Sequence, residues 1–315
     1  MKKTVVVLLL SVLLLIPLSA CGSSGFTAIE LVPQRAGLIV DIQISEIVGD
    51  KDIRDAYNEF EKDPDQPQNV EEGLDELFEE SGIRLSDFSQ AVVFADITEM
   101  DYSSYMGFIV EGTYEEKQFI ENIEEKADSE FSSGEYQGYT LYTNPKEDVA
   151  ITFLDDKTLV AGSEDAVKDV IAIANGDRKP VSGAVLDAYN NLGDTMMKMA
   201  VQLPEEARTA MLEETGMEGM PFSLDSFSDI DIVGFALDKN NETLNAQIDM
   251  YFLSAESAQD AKNTISGFIS LFKGTLDDPE IKDLLGNIEL TVSGSKMTIE
   301  FDISLPEIEN LMETF

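Results

Sequence analysis

The chain's only thiol is Cys21, and its neighbours assign it a covalent fate. Leu18-Ser19-Ala20-Cys21 matches the bacterial lipobox, in which the cysteine sulfur is alkylated by a diacylglyceryl group and the cysteine becomes the first residue of the mature chain. What precedes it has the form of an export signal. Lys2 and Lys3 supply a positive start, residues 4–17 are almost wholly apolar, and no charge follows before Cys21. That stretch is too short for a spanning helix and ends in small residues, as a cleaved secretory signal does. Residues 1–20 therefore read as a signal peptide and residues 21–29 as a flexible tether built on Gly22-Ser23-Ser24-Gly25. An extended tether of this size reaches roughly 25–30 Å, so the body is expected close to a bilayer. With one cysteine, no disulfide can form within the chain.

The remaining chemistry is narrowed by what is missing. The chain has no histidine and no tryptophan. A Ser-His-Asp or Cys-His nucleophile system cannot be assembled, and imidazole metal sites are excluded. Only carboxylates, Lys, Tyr and Ser are left for catalysis. The 62 acidic residues make a carboxylate pair at any chosen spacing inevitable, so a glycosidase-like pair is not a specific signal. Asp238-x-Asn240-x-Glu242 places oxygen ligands at alternate positions, and Asp63-x-Asp65 does the same. Neither continues into the longer acidic loop of an EF-hand. The first is a candidate for weak divalent-cation binding on what otherwise reads as a hairpin turn, and the second reads as a solvated loop. Half of the twelve methionines fall between Met196 and Met220. Met196-Met197-x-Met199 has the soft thioethers that suit Cu(I). On a strand, however, Met197 and Met199 share a face that Met196 does not, which fits core packing better. No glycine-rich phosphate cradle or dinucleotide fingerprint is present. No cofactor and no resident metal are expected.

The formal net charge is −41, from 21 basic and 62 acidic residues. Such a field repels phosphate backbones, so nucleic acid is not an expected partner. A solvated acidic surface is the simplest reading, because salt screens its repulsion beyond about 8 Å.

The elements that would position any site fall into two similar runs. Phe78-Glu79-Glu80-Ser81-Gly82-Ile83 returns as Leu212-Glu213-Glu214-Thr215-Gly216-Met217. Each copy is followed by a Phe-Ser pair, at Phe88-Ser89 and Phe227-Ser228, and then by an apolar strand. In the first run, strands are expected at 37–42, 91–95, 107–111, 139–143, 150–154 and 158–161. Helices are expected up to Ser81, from a capping box at Thr113-x-x-Glu116, and from Ser163 to about Ala174. In the second, a strand begins near Met196, and a helix follows from Pro204. Strands at 230–237 and 244–252 flank a polar connection at 238–243. Ser254 caps a long helix that is expected to stop at Gly274. A last hairpin turns at Gly294-Ser295, and Pro306 opens a final short helix. The helix after Ser254 carries Ala258, Ala261, Ile265, Phe268, Ile269 and Phe272 on one stripe, a core face by default. Ile265, Phe268 and Phe272 are also the candidates for a hydrophobic groove. The short turns imply antiparallel pairing. The expected fold is α+β: two duplicated modules of antiparallel sheet with helices packed on one face, over residues 30–178 and 179–315. The seam is expected at 177–183.

Leu31-Val32-Pro33 leading into the first strand, and the Gly-Ile-x-x-x-Asp turn at Gly82 to Asp87, resemble exported bacterial lipoproteins of the family called domain of unknown function 3352. The resemblance spans most of the chain in element order but rests on short motifs. It implies no agreed activity and no catalytic residues. These readings lead to an extracytoplasmic lipoprotein, on the cell surface or in the periplasm, held to a membrane by the lipid on Cys21. Its expected role is a non-catalytic binding or structural module of the envelope with a protein partner. A lipid- or small-hydrophobe-binding lipoprotein and a carboxylate-based hydrolase are the alternatives.

Overall fold

The structure is a computed structural model that describes residues 26–59, 67–98, 104–126, 130–144, 146–214, 225–275 and 279–307. Cys21, the Asp63-x-Asp65 loop, Met217 and the end of the helix expected from Pro306 lie outside these residues.

Alternating and apolar runs become strands β1 (Leu38–Ile42), β2 (Phe88–Ala95), β3 (Met106–Gly112), β4 (Ser132–Tyr136), β5 (Tyr139–Asn144), β6 (Val149–Phe153) and β7 (Thr158–Gly162). The second run supplies β8 (Met197–Gln202), β9 (Ile230–Asn240), β10 (Thr243–Phe252), β11 (Glu289–Ser293) and β12 (Lys296–Ser304). They form one sheet in the order β11-β12-β10-β9-β8-β1-β2-β3-β7-β6-β5-β4. Neighbouring strands pair antiparallel throughout. Reading outward from the centre, β1-β2-β3-β7-β6 on one side is matched by β8-β9-β10-β12-β11 on the other. The two modules thus share a single sheet, joined where Val40 of β1 faces Met199 of β8.

The helices are α1 (Ile44–Gly49), α2 (Lys51–Glu59), α3 (Val70–Ser81), α4 (Glu116–Lys126), α5 (Glu164–Ala174), α6 (Ala184–Asn191), α7 (Glu205–Glu214), α8 (Ala255–Thr275) and α9 (Pro279–Gly286). The α+β antiparallel expectation is met, but the helices of the first module lie on both faces of its sheet. On one face, α5 packs Val167, Val170 and Ile171 against Ile39, Val92, Ile109 and Val160, with Val185 and Tyr189 of α6 alongside. On the other, Phe119 and Ile120 of α4 and Ile44 of α1 cover Ile151 and Leu159. The reason is local sequence: β2, β3 and β7 are apolar at successive positions, so both faces must be buried. A third cluster places Ala258 and Ala261 of α8 on Met297, Ile230 and Phe252. There the opposite face is polar, carrying Asn245, Gln247 and Asp249 of β10 and Thr298 and Glu300 of β12.

Among the described residues of the sheet, Asp41, Lys198 and Asp249 are buried charges, and each is matched. Asp41 on β1 accepts from Tyr189 Oη, from Gln90 Nε2 at 2.7 Å and from Gln43 Nε2 at 3.1 Å. Lys198, directly across from Asp41 on β8, donates to the Gly193 carbonyl at 2.6 Å and stands 4.2 Å from the centre of the Tyr189 ring. Asp249 is fully buried and accepts from Thr298 Oγ1 at 2.7 Å and Lys296 Nζ at 2.8 Å. Burial first, then the bond to Asp41, pushes the Tyr189 hydroxyl far above its usual pKa, so it stays a donor.

The start of the body corrects the tether. Residues 26–29 belong to the folded unit: Ala28, in a 3-10 turn over Ala28–Leu31, is wholly buried. The Val181 amide donates to the Val32 carbonyl at 2.7 Å, which ties the seam to this segment. Arg35 pairs with Asp96 and lies 4.3 Å from the Tyr105 ring, whose hydroxyl donates to Asp169 at 3.0 Å.

Some elements differ from expectation. β4 was not foreseen. It pairs with β5 through Gln137 and Gly138, both left-handed (φ 50° and 90°), as a two-residue hairpin requires. Helices α6 and α9 were also unforeseen. α4 begins at Glu116, because the Thr113 amide is taken by the Asp87 carbonyl and Thr113 does not open the helix. Gly274 continues α8 to Thr275 and does not end it. β9 and β10 run on through the expected 238–243 loop, leaving Asn241 and Glu242 as the turn.

Lys239 explains that extension. Its ammonium reaches Asp50 and Asp52 at the junction of α1 and α2, both at 2.8 Å, with 7% of its side chain exposed. Burial pushes the Asp50 carboxyl up, but Lys239 and the Ile53 amide outweigh it and hold the group below its ordinary range. A carboxylate depressed in the folded state contributes stability above its unfolded pKa of about 4 and loses it as pH falls through the folded value. Lys239→Met should therefore lower the urea midpoint at neutral pH and lessen its fall between about pH 6 and about pH 3. An unchanged acid slope would mean that the clasp adds nothing. Tyr189→Phe, which strips Asp41 of a buried donor, should cost about 1–3 kcal/mol in the same measurement.

Candidate functional site

A site in this fold is defined by register. The face of the sheet opposite α5 carries an apolar row across its centre: Phe108, Val93, Val40, Met199, Phe235, Ile248 and Ile299 stand directly across from one another on seven strands. One parallel row runs from Met106 through Leu38 and Val201 to Val292, and another runs from Leu159 through Ile42 and Met197 to Phe301. Neither contains a polar residue. In the middle row, Phe108, Val93, Val40, Met199, Phe235 and Ile248 are only partly buried. Among the described residues these six stand outside the three packed clusters. This is apolar surface that the helices flanking it, α4 and α8, do not consume.

The predicted groove residues divide. Ile265 of α8 packs into the third cluster with Met297 and Ile230. Phe268 is partly buried, while Phe272 and its neighbour Leu271 are 49% and 46% exposed on the far end of α8. The helix therefore contributes Ile265 to the sheet and leaves Phe272 in solvent.

Asp238 and Asn240 lie at the end of β9 and Glu242 in the turn. The Asn240 side-chain oxygen accepts from Asn241, and the Glu242 carbonyl accepts the Leu305 amide at 2.9 Å. Among the described residues no group of three or more acidic side chains is arranged to hold a metal ion, these included. Met197 and Met199 share the apolar face, while Met196 is buried elsewhere.

Two recesses adjoin the junction of the modules. One, of about 460 Å³, opens on the polar side beside Asp41, Tyr189, Asp194 and Lys198. The larger, about 860 Å³, lies between the ends of β1, β2 and β8 and α7, next to the Leu38–Val201 pair, and is lined by Ile97, Leu203, Pro204 and Arg208 among others. In the sequence the row residues appear only as apolar positions of separate strands. The rows arise from register between distant strands, which no short motif encodes.

No protein-family model matches the chain, and no curated protein does. Solved structures do. Crystal form III of TP0453 aligns with a TM-score of 0.51 at 10% identity, over 92% of this chain and 99% of that one. Crystal form IV of TP0453 aligns at 0.50 and 10% identity, over 93% and 99%. At that identity the likeness shows a common fold over nearly the whole of both chains.

Phe235→Asp and Met199→Lys place a charge in the middle row, where no partner waits. Each should cut the fluorescence of a bound apolar dye several-fold while the far-ultraviolet dichroism is retained. Equal dye binding by the parent and both variants would show that the row is not accessible.

Proposed function

We propose that this protein is a lipid-anchored, extracytoplasmic binding module without catalytic activity, and that it holds a hydrophobic ligand against the apolar face of its sheet. The middle row from Phe108 to Ile299 carries this reading: a continuous apolar strip across both modules, partly open and flanked by helices, is the surface a lipid-like molecule needs. The lipobox at Cys21 supports attachment to the outer side of a membrane, within a few residues of the folded body. A carboxylate-based hydrolase gains no support from Asp41 and Asp249. Their oxygens are already committed to Tyr189, Gln90, Thr298 and Lys296.

The test is native mass spectrometry of the chain carrying Cys21→Ser, purified from its own host. A bound apolar mass, lost on Phe235→Asp, is expected. A bare monomer would overturn the ligand reading and leave a purely structural module. In the same host, Cys21→Ser should shift the protein from the membrane to the soluble fraction; retention in the membrane would refute the anchor.

A further inference from the structure

An ionic tie joins a helical segment of the first module to a strand of the second across the apolar face. Lys239 follows Leu237 by two places and Phe235 by four on β9, so its side chain leaves the sheet on that face. The segment it meets begins on the other side of the junction. Ile44 of α1 shares a packed cluster with Phe88 of β2, and Ser45 Oγ donates to the Ser89 carbonyl at 3.4 Å. The segment ends at Asp50 and Asp52, each 2.8 Å from Lys239 Nζ. Residues 44–52 therefore pass over the pairing of β1 with β8 as a strap.

Beyond the strap, α2 and α3 form an arm. Tyr57 Oη donates to the Pro67 carbonyl at 3.1 Å, the Val70 amide donates to Asn58 Oδ1 at 3.2 Å, and Arg54 pairs with Glu71. No described residue of either helix belongs to the three packed clusters. Asp50 couples the arm to the tie. Its Oδ1 accepts the Ile53 amide of α2 at 2.9 Å, while its Oδ2 accepts from Lys239. Just before it, Gly49 ends α1 with open space around it, and Asp50 leaves the helix with ψ 120°. A glycine at such a break lets the chain swing. The middle row of the face is partly buried, yet the clustered helices do not cover it.

We propose that Lys239, Asp50 and Asp52 form a latch, which holds the α2–α3 arm over the middle row and opens about Gly49 to admit a hydrophobic ligand. The inference rests on the binding reading above and adds how entry is controlled. The latch closes again behind the ligand, so it slows release as well as entry.

The test is stopped-flow binding of an uncharged naphthylamine dye to the chain carrying Cys21→Ser. Lys239→Met should speed entry and release together, each at least about tenfold, with the amount of dye bound at equilibrium little changed. In a second variant, Lys239→Cys with Asp52→Cys, the two thiols are joined by a reducible bis-methanethiosulfonate. The bridged form should take up dye more slowly than the parent, and reductant should bring it to the rate of Lys239→Met. Equal entry rates in the parent, Lys239→Met and the bridged form would overturn the latch while leaving the hydrophobic face intact. So would loss of dye binding in Lys239→Met alone. Failure of every form to bind dye would overturn both readings.

Discussion

Everything in this fold depends on the pairing of β1 with β8. Each module ends at its centre in a strand whose backbone groups would otherwise face water, an edge open to wrong partners. Antiparallel pairing from Leu38–Val201 to Ile42–Met197 closes both edges at once and makes a single sheet of two halves. The junction also carries two buried charged groups, Asp41 and Lys198, set opposite each other. Desolvating them is unfavourable, and their compensation comes from α6 and the loop after it, through Tyr189 and the Gly193 carbonyl. The helix between the modules thereby holds the strands that join them. A shift of one residue in this register would turn one of the two charges onto the apolar face, so the buried pair also fixes alignment.

That alignment makes the apolar rows possible. Val40 and Met199 belong to different modules, and only their pairing connects Val93 to Phe235. The two faces of the sheet are then used unequally. In the first module both are covered by helices. In the second, the polar face is largely self-satisfied through Asp249, Thr298 and Lys296, and α8 covers only one end of the apolar one. Surplus apolar surface is thus concentrated near the junction, in the six middle-row residues that stand outside the packed clusters.

The sequence showed most of the strands, because alternation and turn residues are local signals. β9 alternates buried and half-buried residues from Ile230 to Leu237, and Gly294 turns the last hairpin with φ 62°. What escaped depended on distant partners. The 238–243 connection looked like a polar loop until Lys239 was seen bound to Asp50 and Asp52, which draws β9 onward to Asn240. Thr113 had the capping pattern, yet its amide goes to Asp87. Helix α6 follows directly on the expected seam, and its worth is visible only through Asp41. Phe268 and Phe272 looked equivalent to Ile265 on a helical wheel, but α8 outruns the sheet it rests on, so the stripe is only partly used. The rows themselves are a property of seven strands at once.

The acidity of the chain gains a physical sense from this surface. A protein with a partly open apolar face and two sheet edges, β4 and β11, invites association with its own copies. A net charge of −41 opposes that encounter at long range, since like-charged bodies repel before their apolar patches can meet. The repulsion does not extend to a molecule without net charge. Inside the screening distance of about 8 Å, local features decide, and the apolar rows are free of charge along their whole length. Self-association and ligand entry are therefore separated by range: the field of the whole surface governs the first, and the chemistry of one face governs the second.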